Sequence, residues 1–139
     1  MKSRDAAALL RQHGIQPSAQ RLAVADYVLF TEQHPSADEV FARVRGNVPM
    51  ISRATVYNTL NLFVRKKLLR ELVLAEGKIV FDPKIEAHHH VIDEGTGAIH
   101  DVPWDALKVA NIDGLKGFEV REFQVVMRGR VAPASRRRA

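Results

Sequence analysis

The sequence predicts an α+β fold, in which an N-terminal winged helix-turn-helix domain is followed by a small α/β domain. Three observations lead to this prediction. Four helix-like segments fill the first half of the chain, a β-hairpin pattern follows them, and strand-like runs dominate the remainder. We place the first domain at residues 1–81, the second at 82–130, and a basic tail at 131–139.

Start and stop signals delimit the four helices. Gly14 ends the first, since glycine is favoured just after a helix C-terminus. Ser36 and Glu39 form a capping-box pattern before the third helix, and Ser52 can cap the fourth. The predicted helices are 3–13, 19–30, 38–46 and 53–69. An apolar stripe at helical spacing lets the fourth pack on the others; its members are Val56, Leu60 and Phe63.

Strands follow the helices. Residues 69–82 predict a hairpin that turns around Glu76 and Gly77, which would form the wing. Beyond it, alternating or β-branched runs predict three more strands and one short helix. The strands are placed at 88–93, 98–102 and 118–129, and the helix at 103–111. The tail lacks apolar periodicity and is predicted to be disordered.

Composition narrows the classes of function. The 139 residues include no cysteine, which excludes disulfides and thiolate zinc ligands. No apolar run approaches the roughly 18 residues that a membrane span requires. The N-terminal segment has no apolar signal-peptide core. We therefore expect no membrane partner and a cytoplasmic location.

The positive charge is concentrated in the first half. Residues 1–81 contain 12 Lys or Arg against 7 Asp or Glu, whereas 82–139 contain 9 of each. This distribution is expected if the first half meets nucleic-acid phosphates, although charge alone equally fits a basic, solvated surface.

The predicted fourth helix supplies the more specific signal. Arg53 and Tyr57 lie one turn apart, opposite the apolar stripe, with Asn61 nearby. Arginine can bind guanine or phosphate and tyrosine can pack on a thymine methyl, so this face suits major-groove reading. A plain solvated face is the alternative. The full predicted set of DNA contacts is Arg11, Gln20, Arg21, Arg53, Tyr57, Asn61, Arg65 and Lys66.

A dense group of metal-capable side chains lies between residues 81 and 101. On a strand, His88 and His90 point to one side and His89 to the other. Two imidazoles spaced in this way can bind one ion, with Asp82 and Asp101 supplied by flanking segments. A solvated histidine patch is the alternative. A second ion site formed by His89 and His100 also stays open.

Several motifs together resemble the ferric uptake regulator (Fur) family, and within it the peroxide-responsive, PerR-like regulators. The matching segments, spread over about residues 3–130, are QPSAQR, HPSADEVF, SRATVYNTLNLF, KIVFD, HHHVIDEGTGAIHDV and GFEVREFQVVMRG. The resemblance implies a homodimeric repressor that binds a pseudo-palindromic DNA operator. It also implies a regulatory Mn²⁺ or Fe²⁺ held by His34, Asp82, His88, His90 and Asp101.

One departure from the family concerns zinc. The family commonly uses two CxxC pairs for a structural zinc, but Asp93 and Thr96 occupy the first pair here and Val131 and Ala134 the second. No Cys-based structural zinc is expected. We expect the second half to depend on apolar packing and a dimer interface, with Phe118, Val120, Phe123, Val125 and Met127 as candidates.

Two other functions remain open from the sequence. An Irr-like regulator that responds to haem or iron would use the HHH run for an axial haem ligand. A non-haem iron enzyme could use two histidines and one carboxylate, but no substrate-pocket motif accompanies these residues and the basic winged helix would go unexplained, so we expect no enzymatic activity.

In the PerR-like hypothesis, one ion can bind all five ligands only if the two domains close. Loss of the ion, or oxidation of His34 or His88, should then release DNA.

Overall fold

The computed structural model describes residues 5–74 and 77–132. The chain divides into two compact units between Ile85 and Glu86, slightly later than the predicted boundary after residue 81. The difference arises because the last strand of the first unit continues through Asp82. Within the described residues, no helix is long and apolar enough to cross a membrane.

In the described part of the first unit, residues 5–74 and 77–85, there are four helices, each with a side-chain cap at its N-terminus. They are α1 (Ala6–Gln12), α2 (Ala19–Val28), α3 (Ala37–Val44) and α4 (Arg53–Arg65). The predicted capping box is confirmed, because the Ser36 hydroxyl accepts from the Glu39 amide and the Glu39 carboxylate accepts from the Ser36 amide. Ser52 caps α4 as predicted. These local signals fix where α3 and α4 begin.

Two helices end in left-handed residues. After α1, Gly14 has φ 74°, and Ile15 donates to the Leu10 carbonyl at 2.8 Å. After α4, Lys67 takes the same role with φ 69°, although lysine is unfavourable in this conformation. The predicted fourth helix was therefore four residues too long, because its lysine pair forms the helix end rather than its last turn.

A two-stranded antiparallel hairpin follows, formed by β1 (Arg70–Val73) and β2 (Ile79–Asp82). The predicted wing is thus confirmed, with Gly77 at φ 77° in its turn. Glu76, also predicted there, lies outside the described residues. The helices and hairpin share one apolar core: Ala6, Leu10, Ile15, Val24, Ala25, Val28, Leu29, Val40, Val44, Ile51, Val56, Leu60, Phe63, Leu68, Leu69 and Phe81.

The second unit is a three-stranded sheet of order β4-β3-β5. Its strands are β3 (His88–Asp93), β4 (Ile99–Pro103) and β5 (Val126–Gly129). β3 pairs antiparallel with β4 and parallel with β5. A 3-10 turn, Trp104–Ala106, stands where a helix over 103–111 was predicted.

The strand predicted over 118–129 was also too long. Val125 donates its amide to the His89 side chain instead of to a strand backbone, which ends the ladder. β3 begins at His88, and its His90 is the partner of Val126. Residues 118–123 therefore have no residue of β3 opposite them. The predicted disorder of the tail concerns residues 131–139, of which 133–139 lie outside the described residues.

Candidate metal centre and nucleic-acid interface

The first unit brings one histidine and one aspartate together. His34 precedes α3, and the Phe81 amide donates to the Pro35 carbonyl at 2.9 Å, which joins this loop to β2. His34 Nε2 consequently lies 3.1 Å from Asp82 Oδ2, and both side chains are buried. The other oxygen, Asp82 Oδ1, accepts from the Lys84 amide at 2.9 Å, which fixes the carboxylate orientation.

The second unit brings together two histidines and one aspartate. His88 and His90 lie on the same face of β3, with ring centroids 4.5 Å apart. Asp101 is the β4 partner of His90, and its Oδ1 lies 3.4 Å from His88 Nε2 and 3.6 Å from His90 Nε2. His88 Nδ1 donates to the Glu86 carbonyl at 2.6 Å. Because a carbonyl only accepts, Nδ1 carries the proton, and Nε2 is the nitrogen through which His88 would coordinate an ion.

His89 and His100 are arranged differently. His89 is buried on the opposite face, stacked on Trp104 with ring centroids 4.6 Å apart, and its Nδ1 accepts from the Val125 amide at 3.0 Å. His100 is exposed. No group of three donors in residues 5–74 and 77–132 includes either histidine, so the structure adds no support for a second ion site.

The donor sets fit a divalent ion of the Mn²⁺ or Fe²⁺ type. Neutral imidazoles and carboxylates are all nitrogen or oxygen donors, which offer nothing to soft metals. Two ligands about 2.1 Å from one ion lie roughly 3.0–3.5 Å apart at tetrahedral or octahedral angles. The separations of 3.1, 3.4 and 3.6 Å within each unit are close to this range. The His34–Asp82 separation also fits a direct hydrogen bond.

All but one of the side chains predicted to contact DNA are exposed on the first unit. Arg11, Gln20, Arg53, Tyr57, Asn61, Arg65 and Lys66 are exposed. Arg21 is partly buried, and its guanidinium donates to the Gln16 carbonyl at 2.9 Å. His13 caps the C-terminus of α1, with its Nδ1 2.9 Å from the Leu9 carbonyl oxygen.

A third residue joins the two main predicted readers. Tyr57 Oη donates to Asp38 Oδ1 at 2.6 Å, and Arg53 Nη1 forms an ion pair with the same oxygen. The hydrogen bond to Asp38 raises the pKa of the Tyr57 phenol above its ordinary value of 10.0. Tyr57 is therefore a neutral donor at physiological pH. The sequence analysis missed Asp38, because its position in the first turn of α3 suggests only a favourable helix-end charge.

The described fold and side chains define a class of protein. A four-helix unit that ends in an antiparallel hairpin, with an exposed Arg–Tyr–Asn face on its fourth helix, is a winged-helix nucleic-acid-binding unit. A sheet unit in which the buried His88 and His90 lie beside the exposed Asp101 carboxylate adds a metal-responsive part. The two together describe a metal-responsive transcriptional regulator.

Comparison with known proteins identifies the family. Residues 12–128 match the Ferric uptake regulator family, and the chain belongs to it. It is 35% identical over 103 residues to a peroxide-responsive repressor PerR of Staphylococcus aureus, covering 74% of this chain and 70% of the relative. It is 31% identical over 118 residues to a peroxide operon regulator of Bacillus subtilis, covering 81% of each. The solved peroxide stress regulator of Campylobacter jejuni matches with a TM-score of 0.65 and 26% identity, over 94% of this chain and 99% of that one.

Proposed function

We propose that this chain is a metal-dependent, DNA-binding transcriptional repressor that responds to peroxide or metal status. The observation that carries the proposal is the presence of two His/Asp groups of one donor type, one in each unit, whose histidines are all buried. The relatives named above are a peroxide-responsive repressor and a peroxide operon regulator. A regulator of this kind acts on chromosomal DNA, which places it in the cytoplasm, and it has no enzymatic activity.

The regulatory ion is Mn²⁺ or Fe²⁺, and its proposed ligands are His34, Asp82, His88, His90 and Asp101. Three neutral imidazoles and two carboxylates balance the charge of a divalent cation. Fewer donors would hold these weakly bound metals less well. We propose that both groups bind one ion, so that the ion favours the arrangement of the units that binds DNA, in proportion to its differential affinity.

The protein residues have separate tasks in this mechanism. The Glu86 carbonyl orients the His88 ring and the Lys84 amide orients the Asp82 carboxylate, so these donors are arranged before the ion arrives. Fe²⁺, when bound, supplies reactivity toward peroxide that Mn²⁺ largely lacks. The readers on α4 bind DNA as a homodimer, on a pseudo-palindromic operator whose half-sites match the spacing of the two helices.

The haem-responsive alternative receives no support. His88, His89 and His90 are at most 2% exposed, and an axial haem ligand requires a face that is open to the porphyrin.

Metal-dependent DNA binding tests the proposal directly. Purified metal-free protein is titrated with Mn²⁺ while the fluorescence of Trp104, the only tryptophan, is followed. Trp104 is a suitable reporter because it stacks on His89, and His89 lies in the sequence between the proposed ligands His88 and His90. Anisotropy of labelled genomic DNA fragments gives DNA binding in parallel.

Three variants separate the outcomes. We expect His34→Ala and Asp101→Ala to weaken Mn²⁺ binding by about 10–100-fold and to abolish metal-dependent DNA binding. His100→Ala, an exposed histidine on the same strand as Asp101, serves as the control and should leave both unchanged. The proposal fails if His34→Ala binds Mn²⁺ and DNA like the wild-type protein. With Fe²⁺, peroxide should add one oxygen atom to a peptide that contains His34 or His88, as mass spectrometry would detect.

A further inference from the structure

Asp38 connects two helices at the proposed DNA-reading face. It is the second residue of α3, and its Oδ1 accepts from Tyr57 Oη at 2.6 Å and from Arg53 Nη1. The Arg53 guanidinium also lies over the Phe41 ring, 4.7 Å from its centroid. Residues 38 and 41 of α3 therefore hold a side chain that belongs to the start of α4.

Folding stability does not account for this arrangement. The side chains of Arg53 and Asp38 are 57% and 67% exposed. Exposed ion pairs contribute little to stability, because water screens the charges and two long side chains lose rotamer freedom. The same loss of freedom is useful in recognition, because a side chain that is already ordered pays less entropy when it binds.

The donor count leaves room for a DNA base. The contact with Asp38 uses Nη1, and a guanidinium has five N–H donors in a planar fork. Arginine reads guanine through two of these donors, directed at O6 and N7. A carboxylate behind the fork and an aromatic ring against its face set the plane in which the remaining donors point.

We propose that Asp38 is a positioning residue for DNA reading, which holds Arg53 and Tyr57 in the rotamers that contact the bases. This inference rests on the proposed function and adds a residue that determines sequence preference rather than overall affinity. An acidic side chain at this face would otherwise only repel phosphates, and the test below separates these two effects.

The experiment uses the full chain loaded with Mn²⁺ and two DNA probes. One probe is the duplex that the wild-type protein selects from a random-sequence library, and the other is a shuffled duplex of equal length and composition. Fluorescence anisotropy gives the affinity for each, and their ratio is the sequence preference. If the wild-type protein selects no sequence, the proposed function fails, and this inference fails with it.

We expect Asp38→Ala to lower the preference about tenfold through weaker binding to the selected duplex, with binding to the shuffled duplex unchanged or slightly tighter. Asp38→Asn keeps a carbonyl acceptor for both donors, so it should retain the preference to within about threefold. Asp26→Ala removes the same charge from an exposed position on α2 and should not alter the preference. Circular dichroism confirms that each variant is folded.

A double-mutant cycle shows whether Asp38 acts through Arg53. If it does, Asp38→Ala should cause little further loss of preference in an Arg53→Ala background. Losses that are additive both in the Arg53→Ala background and in a Tyr57→Ala background would overturn the inference. Equal tightening on both duplexes in Asp38→Ala would also overturn it, because it would show that Asp38 only repels DNA, and so would an unchanged preference.

Discussion

His34 adopts a left-handed backbone conformation, with φ 54°, that costs energy for most residues other than glycine. A histidine is not favoured at this position by its backbone conformation. Its imidazole, which contacts the buried Asp82, is therefore the better explanation for a histidine here. The sequence motif around it predicted His34 as a ligand only through family resemblance. No local pattern could have placed it beside Asp82, which is 48 residues away in the chain.

Asp93 shows what occupies the first of the family's cysteine pairs. Its carboxylate accepts from the Gly95 amide and from the Thr96 hydroxyl, both at 2.9 Å. The Asp93 and Thr96 side chains thus close the turn between β3 and β4 with hydrogen bonds. The same turn is joined to β5, because the Glu94 amide donates to the Gly129 carbonyl at 2.7 Å.

This turn predicts a pH dependence. The Gly95 amide and the Thr96 hydroxyl lower the pKa of the Asp93 carboxyl below its ordinary value of 3.8. A lowered folded-state pKa contributes stability that is complete above the unfolded value and is lost as the pH falls through the folded value. Asp93→Asn should therefore be less stable than the wild-type protein at pH 6, and the difference should shrink below about pH 4.

Thermal unfolding of the metal-free protein across this range measures the effect, with Asp105→Asn, an exposed aspartate of the same unit, as the control. A stability difference that is constant from pH 6 to pH 3 would contradict the role given to the Asp93 carboxylate.

Among the secondary-structure elements, the features predicted correctly are the helix ends that are determined by neighbouring residues in the sequence. The Ser36 and Ser52 caps and the Gly14 terminator are short-range signals, and each is present in the structure. The end of α4 was missed because Lys67 has no intrinsic preference for φ 69°. A strand was wrongly predicted over residues 118–125, because their apolar alternation is real but pairing requires a partner strand, and β3 begins only at His88.

The end of α4 yields a second prediction. Replacing Lys67 by glycine removes the strain of a left-handed residue, and Leu68 already donates to the Phe63 carbonyl at 2.9 Å to complete the helix end. We expect Lys67→Gly to raise the free energy of unfolding by about 0.5–1 kcal/mol, less than the full strain because glycine also gains freedom in the unfolded chain. Urea denaturation measures this. Lys66→Gly is the control and should destabilise, since Lys66 has a negative φ; a gain in that variant would refute the explanation.

At the scale of the whole chain, the two units differ in how they are stabilised. Among residues 5–74 and 77–132, every buried apolar side chain lies at or before Phe81. The second unit instead exposes apolar side chains, namely Trp104, Val109, Leu115, Phe118, Val120 and Val131. Its described buried residues are His88, His89, His90 and Asp93. A sheet of three short strands with no apolar interior is only marginally stable by itself.

We therefore predict that the second unit completes its core by dimerisation, and that Phe118 is central to the interface. Phe118 is 75% exposed, and burying one phenylalanine contributes about 1.5–3 kcal/mol. A two-fold symmetric interface would bury Phe118 from both copies and so gain this contribution twice. Phe118→Ser should then weaken the dimer by about 100-fold or more, as sedimentation velocity over a range of concentrations would show.

Met50→Ser is the matched control, because Met50 is 91% exposed on the first unit and should not affect association. A wild-type chain that sediments as a monomer at micromolar concentration, or a Phe118→Ser variant that dimerises as well as Met50→Ser, would show that the exposed apolar side chains have another role.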